Sequence, residues 1–260
     1  MSSAFEAALE TRSAADYADF LLPHLERGFR LLDVGCGQGT ITLGLAGAVA
    51  QIDAVDPDEE AFADARRYAA EHELTNVAFR VGSVYGLDFP DDRFDACLCH
   101  SMLETLDRPL DGLTEIKRVL KPGGVIGVAC VEYGGLILAG PDHELLRRFY
   151  ETRERLWLLD DVADPYRGRQ LRGLLERVGF EHVTATTKCF SYGAAEAVRS
   201  FGRARAEDCG DGWYSDSARE HGLATAGDLD AMRRSWLEWS ESPDAYLAFA
   251  WCRALGRKPA

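Results

Sequence analysis

The sequence has no stretch long and apolar enough to cross a bilayer. Its apolar runs, such as Val125 to Val131, are strand-sized and interrupted by Gly127 and Cys130. It is also short of cations. Lys and Arg total 29 against 43 Asp and Glu, a formal charge of −14. Nucleic acids and anionic membrane surfaces are recognised by clustered cations, and no dense Lys/Arg run exists here. Neither is therefore expected as a partner. The N-terminal stretch carries Glu6 and Glu10 where a signal peptide has a basic start and an apolar core, so a cytoplasmic protein is expected. Internal repeats, low-complexity tracts and flexible linkers are missing as well.

Cysteine argues in the same direction. The seven cysteines are odd in number and scattered, which fits reduced thiols rather than a disulfide framework. Cys97, Cys99 and His100 lie close enough to suggest a metal site. On a strand, however, Cys99 and His100 point to opposite faces. A third and fourth ligand at suitable spacing are lacking, and no metal is expected.

What the sequence does contain is an alternation of strand and helix patterns. Ala14 to Glu26 has helical spacing up to Gly28. Strands are expected at Phe29 to Val34, Gln51 to Asp56, Val77 to Val81, Phe94 to His100 and Val125 to Val131. Helices are expected at Ile41 to Ala50, Pro57 to Glu73 and Leu110 to Leu120, with a turn at Lys121 to Gly124. This order predicts a mostly parallel sheet with helices on both faces. Beyond Gly135 come helices at Asp142 to Leu159 and Gly168 to Val178, a strand at His182 to Cys189, a mostly helical region from Ala194 to Trp239, and a last strand at Ala245 to Leu255. The whole chain, 1–260, reads as one α/β domain. Its fold is expected to be a Rossmann-like, seven-stranded sheet, with helical insertions at about 134–167 and 190–243 forming a substrate cap.

The strongest chemical signal follows the first strand, at Gly35-Cys36-Gly37-Gln38-Gly39. A glycine-rich turn lets backbone approach a ligand with no Cβ in the way. The spacing is Gly-x-Gly-x-Gly, not the Gly-x-Gly-x-x-Gly of a dinucleotide pyrophosphate site. Asp33, at the strand end, would repel phosphate but suits the ammonium end of an amino-acid ligand. Asp56 ends the second strand 21 residues past Gly35, the offset at which an acid meets a ribose diol. Asp56 also suits an N-cap for a helix opening at Pro57, and the two roles are compatible.

Taken together, these residues resemble class I S-adenosylmethionine-dependent methyltransferases. The chain has Leu32-Asp33-Val34-Gly35-Cys36-Gly37-Gln38-Gly39, an acid ending strand two, then Gly82-Ser83-Val84. Phe89-Pro90-Asp91-Asp92-Arg93-Phe94-Asp95 and Leu120-Lys121-Pro122-Gly123-Gly124 follow. The ordered set is similar to that of quinone-biosynthesis-type members, and the C-terminal half looks like that of actinobacterial small-molecule methyltransferases. The resemblance covers residues 29 to 131 specifically and 168 to 188 more loosely. The resemblance implies S-adenosylmethionine as cofactor and S-adenosylhomocysteine as product. It places Asp33, Gly35, Gly37, Gln38, Gly39, Asp56, Pro57, Ser83, Val84, Cys99 and His100 around the cofactor. Ser83 stands where many relatives have an acid for the adenine amino group, with Asp88 as a substitute acceptor.

The implied reaction is methyl transfer to an O, N or nucleophilic C atom of a small molecule. A non-catalytic S-adenosylmethionine-binding protein and a nucleotide-dependent oxidoreductase are the rival readings. His100 is the candidate general base; packing on the cofactor is the plainer role for it. Glu132, Tyr133, Trp157, Trp213 and Trp236 are candidate substrate contacts, although Trp236 and Trp239, at i and i+3, equally suit a core. Arg203, Arg205 and Arg233 either hold a carboxylate or are solvated.

Overall fold

The computed structural model describes residues 12–260; Glu6 and Glu10 lie outside the described residues. Seven strands form one sheet in the order β3-β2-β1-β4-β5-β7-β6. They are β1 Arg30–Val34, β2 Gln51–Asp56, β3 Val77–Val81, β4 Phe94–His100, β5 Leu120–Ala139, β6 Glu181–Tyr192 and β7 Tyr246–Arg257. The pairings β1–β2, β1–β4, β2–β3 and β4–β5 are parallel. Lys258, just past β7, exchanges backbone hydrogen bonds with Gly123 and Gly124 at the start of β5, so β7 runs against β5.

The helices are α1 Ala14–Tyr17, α2 Thr40–Leu45, α3 Ala63–Glu71, α4 Pro109–Val119, α5 His143–Leu159, α6 Leu171–Val178, α7 Ala195–Asp208, α8 Trp213–Glu220 and α9 Ala226–Glu241. Several expected helices are shorter in the structure, two of them for an evident local reason. Pro23 breaks the first, leaving α1 and a single 3-10 turn at Leu22–His24. Ahead of α3, Asp56 and Asp58 accept hydrogen bonds from the N–H groups of Asp58 and Glu60, and these side-chain turns hold the chain out of the helix. The helix after the glycine turn ends at Leu45, well before Ala50. The Lys121–Gly124 turn is absorbed into β5. It carries Gly123 at φ 76° and coincides with a register shift against Phe94 and Ala96.

Contacts divide the chain into two compact units. The first comprises residues up to Cys130 with Arg169–Thr186 and Cys252–Ala260; the second comprises Val131–Gly168 and Thr187–Trp251. In the first unit, the inner strands are apolar on both faces. One face packs Cys97, Cys99, Val128 and Cys130 with Ile116 and Leu175. The other packs Leu31, Ile52, Ala96 and Leu98 with Leu21 and Leu45. Burial on both sides is what a parallel sheet requires. It also fixes which residues of β4 reach the ligand side.

The second unit is built on aromatic rings. Trp236 and Trp239 of α9 are fully buried and meet edge to face at 5.4 Å. The Trp239 indole donates to the carbonyl of Ala139 at 2.7 Å. Phe149 and Tyr150 of α5 pack edge to face on Trp236. The Thr225–Asp228 capping box starts α9, satisfying N–H groups that the first turn leaves unpaired.

Candidate active site

The first unit contains a cavity of about 560 Å³ at the carboxyl ends of β1, β2 and β4, a size suited to a small organic ligand. Open α/β sheets bind ligands at this edge. Its floor is the turn after β1. Gly35, Gly37 and Gly39 all have positive φ, at 73°, 49° and 72°, a region that glycine enters without penalty.

The three glycines do different work. A Cβ on Gly35 would meet Met102 Cγ at 2.5 Å, and one on Gly39 would meet Ala65 and Phe79 at 2.7 Å. Both positions are needed for close packing. A Cβ on Gly37 meets no atom of the described residues within 4 Å, and Gly37 lines the cavity. Its backbone is the part of the turn left open to a ligand.

Two carboxylates frame this turn. Asp56 Oδ2 accepts from the Gly37 N–H at 2.8 Å, and Oδ1 accepts from the Asp58 N–H at 3.0 Å. The acid that ends β2 thus ties the glycine turn to the β2–α3 connection, while lining the cavity itself. Asp33 is buried at 3% exposure and accepts from the Thr42 hydroxyl at 2.6 Å. Burial pushes its carboxyl up to about 6, so near neutrality it stands close to the boundary between acid and carboxylate. A cationic ligand group beside it favours the charged form.

Of the expected cofactor residues, Asp33, Gly35, Gly37, Gln38, Asp56, Pro57, Ser83, Val84 and His100 line this one cavity. Two do not. Gly39 is turned into the contact with α3 and β3. Cys99 is fully buried on the opposite face of β4, its sulfur 3.9 Å from that of Cys97. Strand alternation puts Leu98 and His100 on the ligand side and Cys97 and Cys99 in the core, and the expectation for Cys99 is corrected accordingly. Asp88 is also absent from the lining. Tyr85 takes a place there instead, with the Arg108 guanidinium 4.6 Å from its ring centre.

Ser101 and Met102, which the resemblance places with His100 at the strand end facing the cofactor methyl, line the cavity too, and the sequence reading missed Arg12, Thr105 and Leu106 beside them. Arg12 is its cation. An Arg12 Nη2 lies 3.4 Å from His100 Nδ1; arginine only donates, which leaves the His100 proton on Nε2. Burial and the nearby Arg12 charge push His100 down to about 3. The imidazole is therefore neutral at ordinary pH and a poor resting place for a proton, against the general-base expectation.

None of the five expected substrate contacts lines this cavity; all belong to the second unit. Trp236 is core, as its burial shows, and is corrected on that ground. Glu132 Oε1 turns back to accept from the Gly134 N–H at 3.2 Å. Tyr133 is buried among Trp157, Tyr150 and Phe249. Trp213 is 38% exposed and donates to Asp160 at 2.9 Å. Arg203 and Arg233 are exposed, whereas Arg205 is half-buried beside Asp208 at 3.0 Å.

Residues 32–128 match a family model described as a methyltransferase domain. The probable methyltransferase ltbC of Aspergillus luteorubrus is 30% identical over an alignment covering 96% of this chain and 92% of that one. The chain is a class I S-adenosylmethionine-dependent methyltransferase. A ubiquinone biosynthesis O-methyltransferase of Alkalilimnicola ehrlichii is 40% identical to this methyltransferase, over 42% of this chain and 44% of that one. Among solved structures, the YcgJ protein of Bacillus subtilis superposes with a TM-score of 0.62 at 17% identity. It covers 93% of the methyltransferase and 97% of its own chain, a likeness of fold. No helix among the described residues is long and apolar enough to cross a membrane. Nor do those residues include a group of three His, Cys, Asp or Glu placed to hold a metal ion.

Proposed function

We propose that the methyltransferase alkylates an O, N or nucleophilic C atom of a small, largely apolar molecule, in the cytoplasm and without nucleic acid as substrate. The carrying observation is the cavity, whose charges are arranged for a zwitterionic nucleoside. Asp56 keeps unused lone pairs for a ribose diol, because each of its oxygens accepts one backbone bond. Asp33 faces an ammonium group, and Arg12 complements the carboxylate beside it. Ser83, Val84 and Tyr85 hold the adenine, with backbone groups replacing an acidic side chain. Gln38 and Pro57 border the rest.

When bound, the cofactor supplies a methyl group on a positively charged sulfur, already a good leaving group. The protein's own part is alignment and exclusion of water. Well-oriented reactants account for about 7–11 kcal/mol of a barrier. We assign acceptor selectivity to the second unit, whose two segments include the expected insertions 134–167 and 190–243. Trp157, half-buried, and Trp213, at its surface, are its candidates for an apolar acceptor. Small size of the acceptor is supported by the acidic surface and the aromatic content.

The test is direct. Purified protein is incubated with S-adenosylmethionine and a panel of phenols, amines and 1,3-dicarbonyls, and products are followed by mass spectrometry. A gain of one CH2 on a panel member, with equal S-adenosylhomocysteine release, is expected. Cofactor binding with no turnover on any member favours a protein that retains the cofactor without using it.

A further inference from the structure

Glu104 is the buried ionisable group that the reading above leaves without work. It sits in the 3-10 turn Leu103–Thr105 that follows β4 and is 5% exposed. Its Oε2 has no hydrogen-bond partner among the described residues. Such an oxygen carries an uncompensated desolvation cost, and an orphaned buried group in a native protein calls for an explanation, a catalytic role among them. Near its carboxyl stand the thiol of Cys130 from β5 and the hydroxyl of Ser101, three positions earlier, neither within hydrogen-bond distance of Oε2, and, further off, the guanidinium of Arg12; Cys99 of β4 lies behind Cys130.

Ser101 connects this carboxyl to the cavity. It lines the cavity and has φ 58°, a conformation in which non-glycine residues are uncommon and which recurs at active sites. The backbone is pinned there by the Ser101 N–H bond to Ala129 at 2.9 Å.

We propose that Ser101 and Glu104 form the proton exit for a hydroxyl acceptor, Ser101 touching the substrate and Glu104 acting through it. This rests on the methyl-transfer reading above. The acceptor O–H passes its proton to Ser101 Oγ as the Ser101 proton passes to Glu104. The freed oxygen pair forms the O–CH3 bond, and the pair of the breaking C–S bond stays on sulfur, which becomes a neutral thioether. Glu104 ends protonated and returns its proton to solvent after product leaves. Burial raises the Glu104 carboxyl above its ordinary range, with Cys130, Ser101 and Arg12 pulling the other way. Raised carboxylates make effective bases near neutrality. His100, held neutral by burial and by the nearby Arg12 charge, is not needed for this step.

The test uses 4-nitrophenol as the acceptor probe, on the full chain saturated with S-adenosylhomocysteine. Its absorbance distinguishes phenol from phenolate. At a pH where the free probe is mainly neutral, the wild-type complex is expected to show the phenolate band. Glu104→Gln, which keeps shape and removes the base, is expected to lower the bound phenolate fraction at least tenfold. Ser101→Ala should do the same, and Glu104→Asp should restore part of the signal. A purely structural Glu104 would not move this spectrum. Equal phenolate fractions in wild type and Glu104→Gln would overturn the proposal, since the nearby Arg12 charge alone would then explain the ionisation. Calorimetry on the same samples separates the two readings. Absence of S-adenosylhomocysteine binding in the wild type overturns the cofactor site and this inference with it. Binding with an unchanged spectrum in both variants overturns the proton route alone.

Discussion

The Asp56 carboxylate accepts a hydrogen bond from the backbone of Gly37, 2.8 Å away and 19 positions earlier in the chain. The acid expected to hold a ribose thus also holds the glycine turn, and its two roles are inseparable in a single substitution. Asp56→Ala should weaken S-adenosylhomocysteine binding by tenfold or more, at about 1.5–3 kcal/mol per lost charge-assisted bond. It should also lower the midpoint of thermal unfolding, because the N–H groups of Gly37 and Asp58 lose their acceptor. Calorimetry and a melting curve read the two effects. Undiminished affinity would remove Asp56 from the site.

Gly37 and Gly39 should separate binding from folding. Gly37→Val places a side chain in open space and costs about 1–3 kcal/mol of backbone strain, yet it should abolish cofactor binding in a folded protein. Gly39→Ala drives a methyl against Ala65 and Phe79 and should appear first as lost stability. Denaturant unfolding alongside ligand titration distinguishes the pair. Equal effects on both measurements from both variants would contradict the division of roles.

Binding should depend on pH through Asp33. Its folded-state value, about 6, lies above the ordinary 3.8. The contribution of this group to stability is therefore fully present below the ordinary value and is lost as pH rises through about 6. Above that, the buried carboxylate is a cost that a ligand ammonium offsets. S-adenosylhomocysteine affinity should fall as pH drops from about 7.5 to about 5, approaching tenfold per unit once below 6. Asp33→Asn should bind weakly with a flat profile. A wild-type affinity that does not change across this range would argue that Asp33 does not face the ammonium.

The tryptophans of the second unit should differ sharply. Trp236, fully buried among Phe149, Tyr150 and Trp239, should cost about 3–5 kcal/mol when replaced by alanine. Trp213, partly exposed and held by one bond to Asp160, should cost about 1 kcal/mol or less. Urea unfolding followed by circular dichroism measures both. A mild Trp236→Ala would return that residue to the list of substrate contacts.

Much of this organisation was legible in the sequence. The bounds of β3 and β4 are those expected, because short apolar runs flanked by polar residues leave little freedom. The glycine turn and Asp56 come from one contiguous strand–turn–helix–strand stretch, so their meeting follows from chain order. Cys99 was misplaced by counting along β4 without carrying through the alternation that already separated it from His100. Arg12 left no local signal, being 88 positions from His100. Ser101, Met102 and Leu106 enter the site because β4 gives way to a tight 3-10 turn, which no periodicity announces. The aromatic helices were visible as composition. Which rings are core is decided by packing between α5, α7 and α9.

The central claim is that the cavity above Gly37 holds S-adenosylmethionine, and calorimetric titration of the full chain with S-adenosylhomocysteine and with NADH tests it most directly. The account predicts saturable one-to-one binding of S-adenosylhomocysteine, lost in folded Gly37→Val, and no binding of NADH. Saturable NADH binding that Gly37→Val removes, or S-adenosylhomocysteine binding that Gly37→Val leaves intact, would contradict it.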